Sequence, residues 1–231
     1  MTGETLPYSM ASDWAVTAFV LVAFFIIAIV VGRGRKLIQQ HLKMIFLGKD
    51  RASFFDESPG GVLRYVGALN VVTAMLLGVA VFGYVNAGME WGEAPVSSIV
   101  MLTAYSATIL FYLLLKGGFY SLVNWVFFEN IQQKNWTQTF FDVTGFSCFV
   151  IFPVLLLAVY HGLDSIFLEC FSIGFLLFVK ILLFYKCVKN FFRHLKEWFH
   201  LILYFCTLEI IPLFLLWEGV ELINSILKLK N

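Results

Sequence analysis

Charge is scarce in this sequence: 13% of its 231 residues are Asp, Glu, Lys or Arg, with a net charge of +1. Soluble domains carry about 25% charged residues. Without a clustered excess of Lys and Arg, nucleic acid is excluded as the main partner. Cysteine is equally sparse. Cys148, Cys170, Cys187 and Cys206 lie in or beside apolar runs, with no CxxC pair and no metal-ligand spacing. They read as small buried hydrophobes, and no disulfide framework is indicated. The leading MTGETLPYSMASD contains no Lys or Arg and so lacks the basic n-region of a cleavable signal peptide.

The familiar catalytic patterns are missing as well. HExxH, GxSxG and a Walker lysine do not occur. His194 and His200 stand six residues apart, about 600° of helical rotation, which is about 120° out of register for a shared ligand face. With His41 and His161 they do not form the two matched pairs that bundled haems need. No metal or other cofactor is expected. An internal repeat, the usual mark of secondary transporters, is not visible between the first and fourth apolar runs.

What the chain does have is apolar residues, 60% of the total, with 26 phenylalanines. A run of about 18 such residues crosses a hydrocarbon layer roughly 30 Å thick as a helix. Six runs qualify: 14–31, 63–85, 99–115, 137–160, 165–185 and 199–217. The expected fold is therefore all-α, a single membrane helix bundle of six spans.

The basic residues orient it. Of the 16 Lys and Arg, all but Lys228 and Lys230 fall in or next to the segments that follow the first, third and fifth runs. The connections NAGMEWGEAPVS and HGLD contain none. By the positive-inside rule those basic segments are cytoplasmic and both termini face the periplasm, across a bacterial inner membrane. The NWT triplet at Asn135 then falls on the cytoplasmic side and is no glycosylation site.

Two of the basic segments are amphipathic. In the first, Ile38, Leu42, Ile45 and Phe46 oppose Gln39, Gln40 and Lys43, either as a helix on the inner leaflet or as an extension of the first span. Gly60 and Gly61 then supply a flexible break before the second span. In the second, which opens at Lys116, Phe119, Leu122, Val123, Val126 and Phe127 oppose Ser121, Asn124 and Gln132. It is an interfacial segment, with Trp125 and Trp136 at headgroup level, or a long third helix kinked at Gly117 and Gly118. Gly67, Gly78 and Gly83 would let helices approach closely, without GxxxG spacing.

Ionisable groups within the spans are the candidate site, because each costs roughly 2.5–3.5 kcal/mol on insertion scales and needs a partner or a wet cavity. Asp142 lies about 8 Å into the fourth span by helical rise, Lys180 at a similar distance from the inner face on the fifth, and Glu209 near the middle of the sixth. His200 and Arg64 near the inner boundary and Glu169 near the outer one are secondary candidates that can snorkel. Pro212 has no N–H, so the carbonyl of Leu208 loses its helical donor beside Glu209. That acceptor cluster calls for a donor or cation, with Lys180 on the neighbouring helix, Thr207 or a water to supply it. The network is either structural, pinning the last three helices, or a proton or cation site; the shortage of polar residues along a path favours structure.

The stretches FHLILYFCTLEIIPLFLL and FFDVTGFSCFVIFPVLLL, and the order span, basic segment, span, resemble an uncharacterised integral membrane family of Bacteroidota, domain of unknown function 4271. Tyr204, Cys206, Glu209 and Pro212 carry the most specific match, Gly145 and Pro153 a weaker one, over nearly the whole chain. The resemblance implies a helical inner-membrane protein and brings no catalytic role. The expected function is non-enzymatic: a subunit or scaffold of a cell-envelope assembly, in contact with the lipid bilayer and an unidentified membrane partner, and compatible with homo-oligomers. A proton- or cation-coupled transporter centred on Glu209 is the alternative. An enzyme on a lipid-linked substrate, using Asp142, Glu209 and His200, comes third.

Overall fold

The computed structural model describes residues 10–47, 59–86, 97–127, 130–161, 165–191 and 211–229. It is all-α. Among the described residues a 3-10 turn, Met10–Ser12, leads into seven helices: α1 Trp14–Leu47, α2 Pro59–Asn86, α3 Ser98–Phe127, α4 Asn130–Phe146, α5 Cys148–His161, α6 Ser165–Phe191 and α7 Ile211–Leu229.

Asp13 starts the bundle. Its carboxylate accepts from the Ala15 amide at 2.9 Å and its carbonyl from the Thr17 amide at 3.1 Å, so an N-cap acid satisfies the orphan donors of α1 and complements its dipole. α1 then runs past the expected end of the first span and kinks at Gly34, whose φ of −110° and ψ of 20° leave the helical region. The ring of Tyr65 in α2 lies against this glycine. Beyond the kink Ile38 packs on the core while Gln39 is exposed, so this part of the basic segment is the second leg of a bent first helix.

α2 is the centre. Of its apolar window 56% is buried, against 28% for the windows of α1 and α3 and 39% for the fourth window, and it packs against α1, α3, α4 and α5. Leu69, Val72, Leu76 and Val79 recur at three and four residues along its buried face. The flexible break expected at Gly60 and Gly61 is absent: both belong to the first turn of α2, because Pro59 at the first helical position has φ preset and loses no needed N–H.

α3 runs straight on through Gly117 and Gly118 to Phe127, so the interfacial segment expected from Lys116 onward is, as far as Phe127, the end of α3. Its faces divide differently from the expected amphipathic pattern, with Val123 packed against the core. Phe119 and Leu122 face outward, and Lys116 and Tyr120 point into the core. Packing decided this: a side chain at Gly117 would collide with Phe141, so the missing Cβ lets α4 come in and bury the adjoining positions. Gly78 does the same between α2 and α3, where an added Cβ would stand 3.0 Å from the Ser106 amide nitrogen. Gly83 lies against the Met10 sulfur, whereas Gly67 has open space around it.

The first four rods alternate in direction. At one end Met10 meets Gly83 and the Tyr160 hydroxyl donates to Thr17 Oγ1 at 3.2 Å. At the other Tyr65 meets Gly34, and the rings of Tyr120 and Phe140 stand 5.1 Å apart. Arg33, Arg35 and Arg64 gather, exposed, at this second end. α6 packs on α4, and α7 on α3 through Leu216, Val220 and Ile223. α7 continues to Leu229, well past the expected end of the sixth span.

Candidate functional site at the break in the fourth span

The fourth apolar run is interrupted. Ser147 separates α4 from α5, its hydroxyl donating back to the Val143 carbonyl at 2.9 Å and its amide shared between the carbonyls of Val143 and Thr144, both at 3.2 Å. The amides of Val150 and Ile151 turn instead to the Ser147 carbonyl, at 3.1 and 3.0 Å. A hydroxyl that competes for the backbone, next to a poor helix former at Gly145, is an ordinary cause of such a break. In hydrocarbon the altered carbonyls still need donors.

α2 supplies them. Asn70 Nδ2 donates to Val66 O at 2.8 Å on its own helix and to Phe141 O at 2.9 Å across the interface. Thr73 Oγ1 lies 3.0 Å from Leu69 O, 3.1 Å from Thr144 O and 3.3 Å from Gly145 O. Gly145 keeps the seam close, because an added Cβ would come 3.0 Å from Asn70 Nδ2 and 3.2 Å from Leu69 Cβ and push both aside by a few tenths of an ångström. Asn70 and Thr73, three residues apart and so on one face of α2, are site residues that the sequence reading passed over.

A second polar element is Lys116, which is 3% exposed. Its ammonium lies 5.3 Å from the ring centre of Phe140, 5.7 Å from that of Tyr120 and 6.0 Å from that of Tyr112. Ring faces attract a cation that has left water. Its placement among loop cations is thereby corrected: the ammonium is an interior group that joins α3 to α4. The signal was present in YLLLKGGFY, where tyrosines four residues before and after the lysine stack on its own helical face. Asp142, 4% exposed, follows Phe141 just as Lys116 precedes Gly117, and Gly117 and Phe141 touch. The buried base and the buried acid therefore sit at one level of the bundle.

The other expected site residues that the structure describes lie on α2, α6 and α7. Lys180 is half-buried on α6, the helix packed on α4, so its helix and that of Asp142 are neighbours. Pro212 is buried in the first turn of α7, where a missing N–H is tolerated, and α7 packs on α3. Arg64 is exposed in the second turn of α2. Glu209 and His200 lie outside the described residues, as does the side chain of Glu169 on α6. Cys148 is buried, in the manner of a small hydrophobe. Among the described residues no three His, Cys, Asp or Glu side chains group as metal ligands.

Four windows, Trp14–Arg35, Arg64–Val85, Ser98–Val123 and Thr137–His161, are long and apolar enough to cross a membrane, and polar side chains of the second bond backbone carbonyls of the fourth. That architecture defines the class, a polytopic helical membrane protein. The chain belongs to the family described as domain of unknown function 4271, whose model matches residues 16–220. Comparison with curated proteins and with solved structures found no match.

Proposed function

We propose that this is a six-span inner-membrane protein with periplasmic termini, and that it serves as a non-enzymatic subunit or scaffold of a bacterial cell-envelope assembly. The observation that carries this reading is on α7. Leu216, Val220 and Ile223 face the core, and a Cβ at Gly219 would meet Thr108 Cγ2 at 3.9 Å. Thr108 lies ten residues into α3, about 15 Å along it and near the middle of its apolar window. At this level Glu218 and Glu221 are exposed on the outward face, beside Phe214, Trp217 and Leu222.

Two carboxylates facing hydrocarbon cost roughly 2.5–3.5 kcal/mol each. A partner helix that brings a basic or hydrogen-bonding group removes that cost, and lipid cannot. The broad apolar face of α6, with Ile173, Leu177 and Ile181 outward, adds packing area for lipid or partner. The buried polar groups of α2 support the same reading, since their described donors are spent on backbone carbonyls.

The test is mild-detergent purification of the tagged chain beside a Glu218→Lys, Glu221→Lys double variant. The wild type is expected to bring down a stoichiometric membrane partner, and the variant to insert normally and lose it. A wild type that purifies as a lone monomer from native membranes would contradict the proposal.

A further inference from the structure

The geometry points to a second role for the break in the fourth span: together with Asn70 and Thr73 it forms a binding site for a small monovalent cation, Na+ in the first place. The argument is an inventory of protons. Asn70 Nδ2 has two, and both are committed, to Val66 O at 2.8 Å and Phe141 O at 2.9 Å. Thr73 Oγ1 has one, and three carbonyl oxygens lie within its reach. With that proton on Leu69 O, the shortest contact at 3.0 Å, the oxygens of Thr144 and Gly145 face the Thr73 oxygen at 3.1 and 3.3 Å with no hydrogen between them. Thr144 O also receives the Ser147 amide at 3.2 Å, but each carbonyl oxygen carries two lone pairs, so the cluster holds more acceptor capacity than protons and a positive centre would fill it.

An independent observation points the same way. Asn70 is 5% exposed, and its Oδ1 is buried without a hydrogen-bond partner. A buried acceptor left so carries the cost of its lost hydration with nothing to offset it. Asn70 Oδ1, Thr73 Oγ1, Thr144 O and Gly145 O are all hard oxygen donors, the set that selects alkali and alkaline-earth cations over transition metals. The carboxyl end of α4, which terminates at Phe146, adds the negative pole of a helix, and a helix interrupted at membrane depth is a recurrent coordination site for Na+. A bound ion of this kind would serve a subunit as well as a transporter, so the site stands independently of the scaffold reading.

The experiment measures thermal unfolding of the purified full chain in detergent, at constant ionic strength in NaCl, KCl or choline chloride. A saturable rise in Tm with Na+ over choline is expected. Thr73→Val should weaken the apparent Na+ affinity by at least about tenfold, one lost ligand. Thr73→Ser should keep it, and Asn70→Asp should raise it. Saturable 22Na+ binding to the wild type, measured directly, decides the matter if Thr73→Val does not fold. Equal Tm in all three salts, an undiminished Na+ response in Thr73→Val, or no saturable 22Na+ binding overturns the site.

Discussion

Lys116 shows how far a single residue can depart from its hydropathy. A lysine after an apolar run marks the end of a span by composition, yet here the helix continues and the ammonium is enclosed by Phe140, Tyr120 and Tyr112. What composition omits is the partner: one of the three rings, Phe140, comes from α4, which nothing local to α3 reveals. Lys116→Ala would remove the cation from its rings and leave a void between α3 and α4. A loss of about 2–4 kcal/mol is expected, read from reversible unfolding in mixed micelles. Asn70 and Thr73 were hidden for the same reason, since each also has an acceptor on its own helix and looks self-sufficient in sequence.

At the scale of elements, the first four spans were legible because run length against bilayer thickness is a strong constraint. Their boundaries were less so. Gly60 and Gly61 lie within α2 because Pro59 initiates it, and α1 extends beyond its apolar run with a bend at Gly34. The break at Ser147 was invisible, since Gly, Ser and Thr are ordinary in membrane helices and only the donors of α2 make the interruption stable. Glycines separate into two kinds once packing is known. Gly78→Ala would press on the Ser106 backbone and should cost about 1–3 kcal/mol. Gly67→Ala meets nothing within 4 Å and should stabilise α2 by about 0.5–1 kcal/mol. Paired unfolding curves of the two variants check both signs.

For the whole molecule, charge and packing agree on a polarity. The described arginines Arg33, Arg35 and Arg64 and the caged Lys116 occupy the end where Tyr120 meets Phe140. The Asp13 cap and the Tyr160 to Thr17 hydrogen bond mark the other. Of the residues expected around Glu209, which itself lies outside the described residues, Asp142 and Lys180 sit on the packed pair α4 and α6, and Pro212 on α7, which packs on α3. Neither neighbour relation is written in the local sequence of the last two helices.

The central claim is that this bundle is threaded through the bilayer with its basic end in the cytosol. Gln39 and Ser97, both exposed, sit at opposite ends and are the positions to label. In a background free of native cysteines, a membrane-impermeant maleimide added to intact spheroplasts should modify Ser97→Cys and leave Gln39→Cys untouched until the membrane is opened. Modification of Gln39→Cys in sealed cells, with Ser97→Cys protected, would contradict the account.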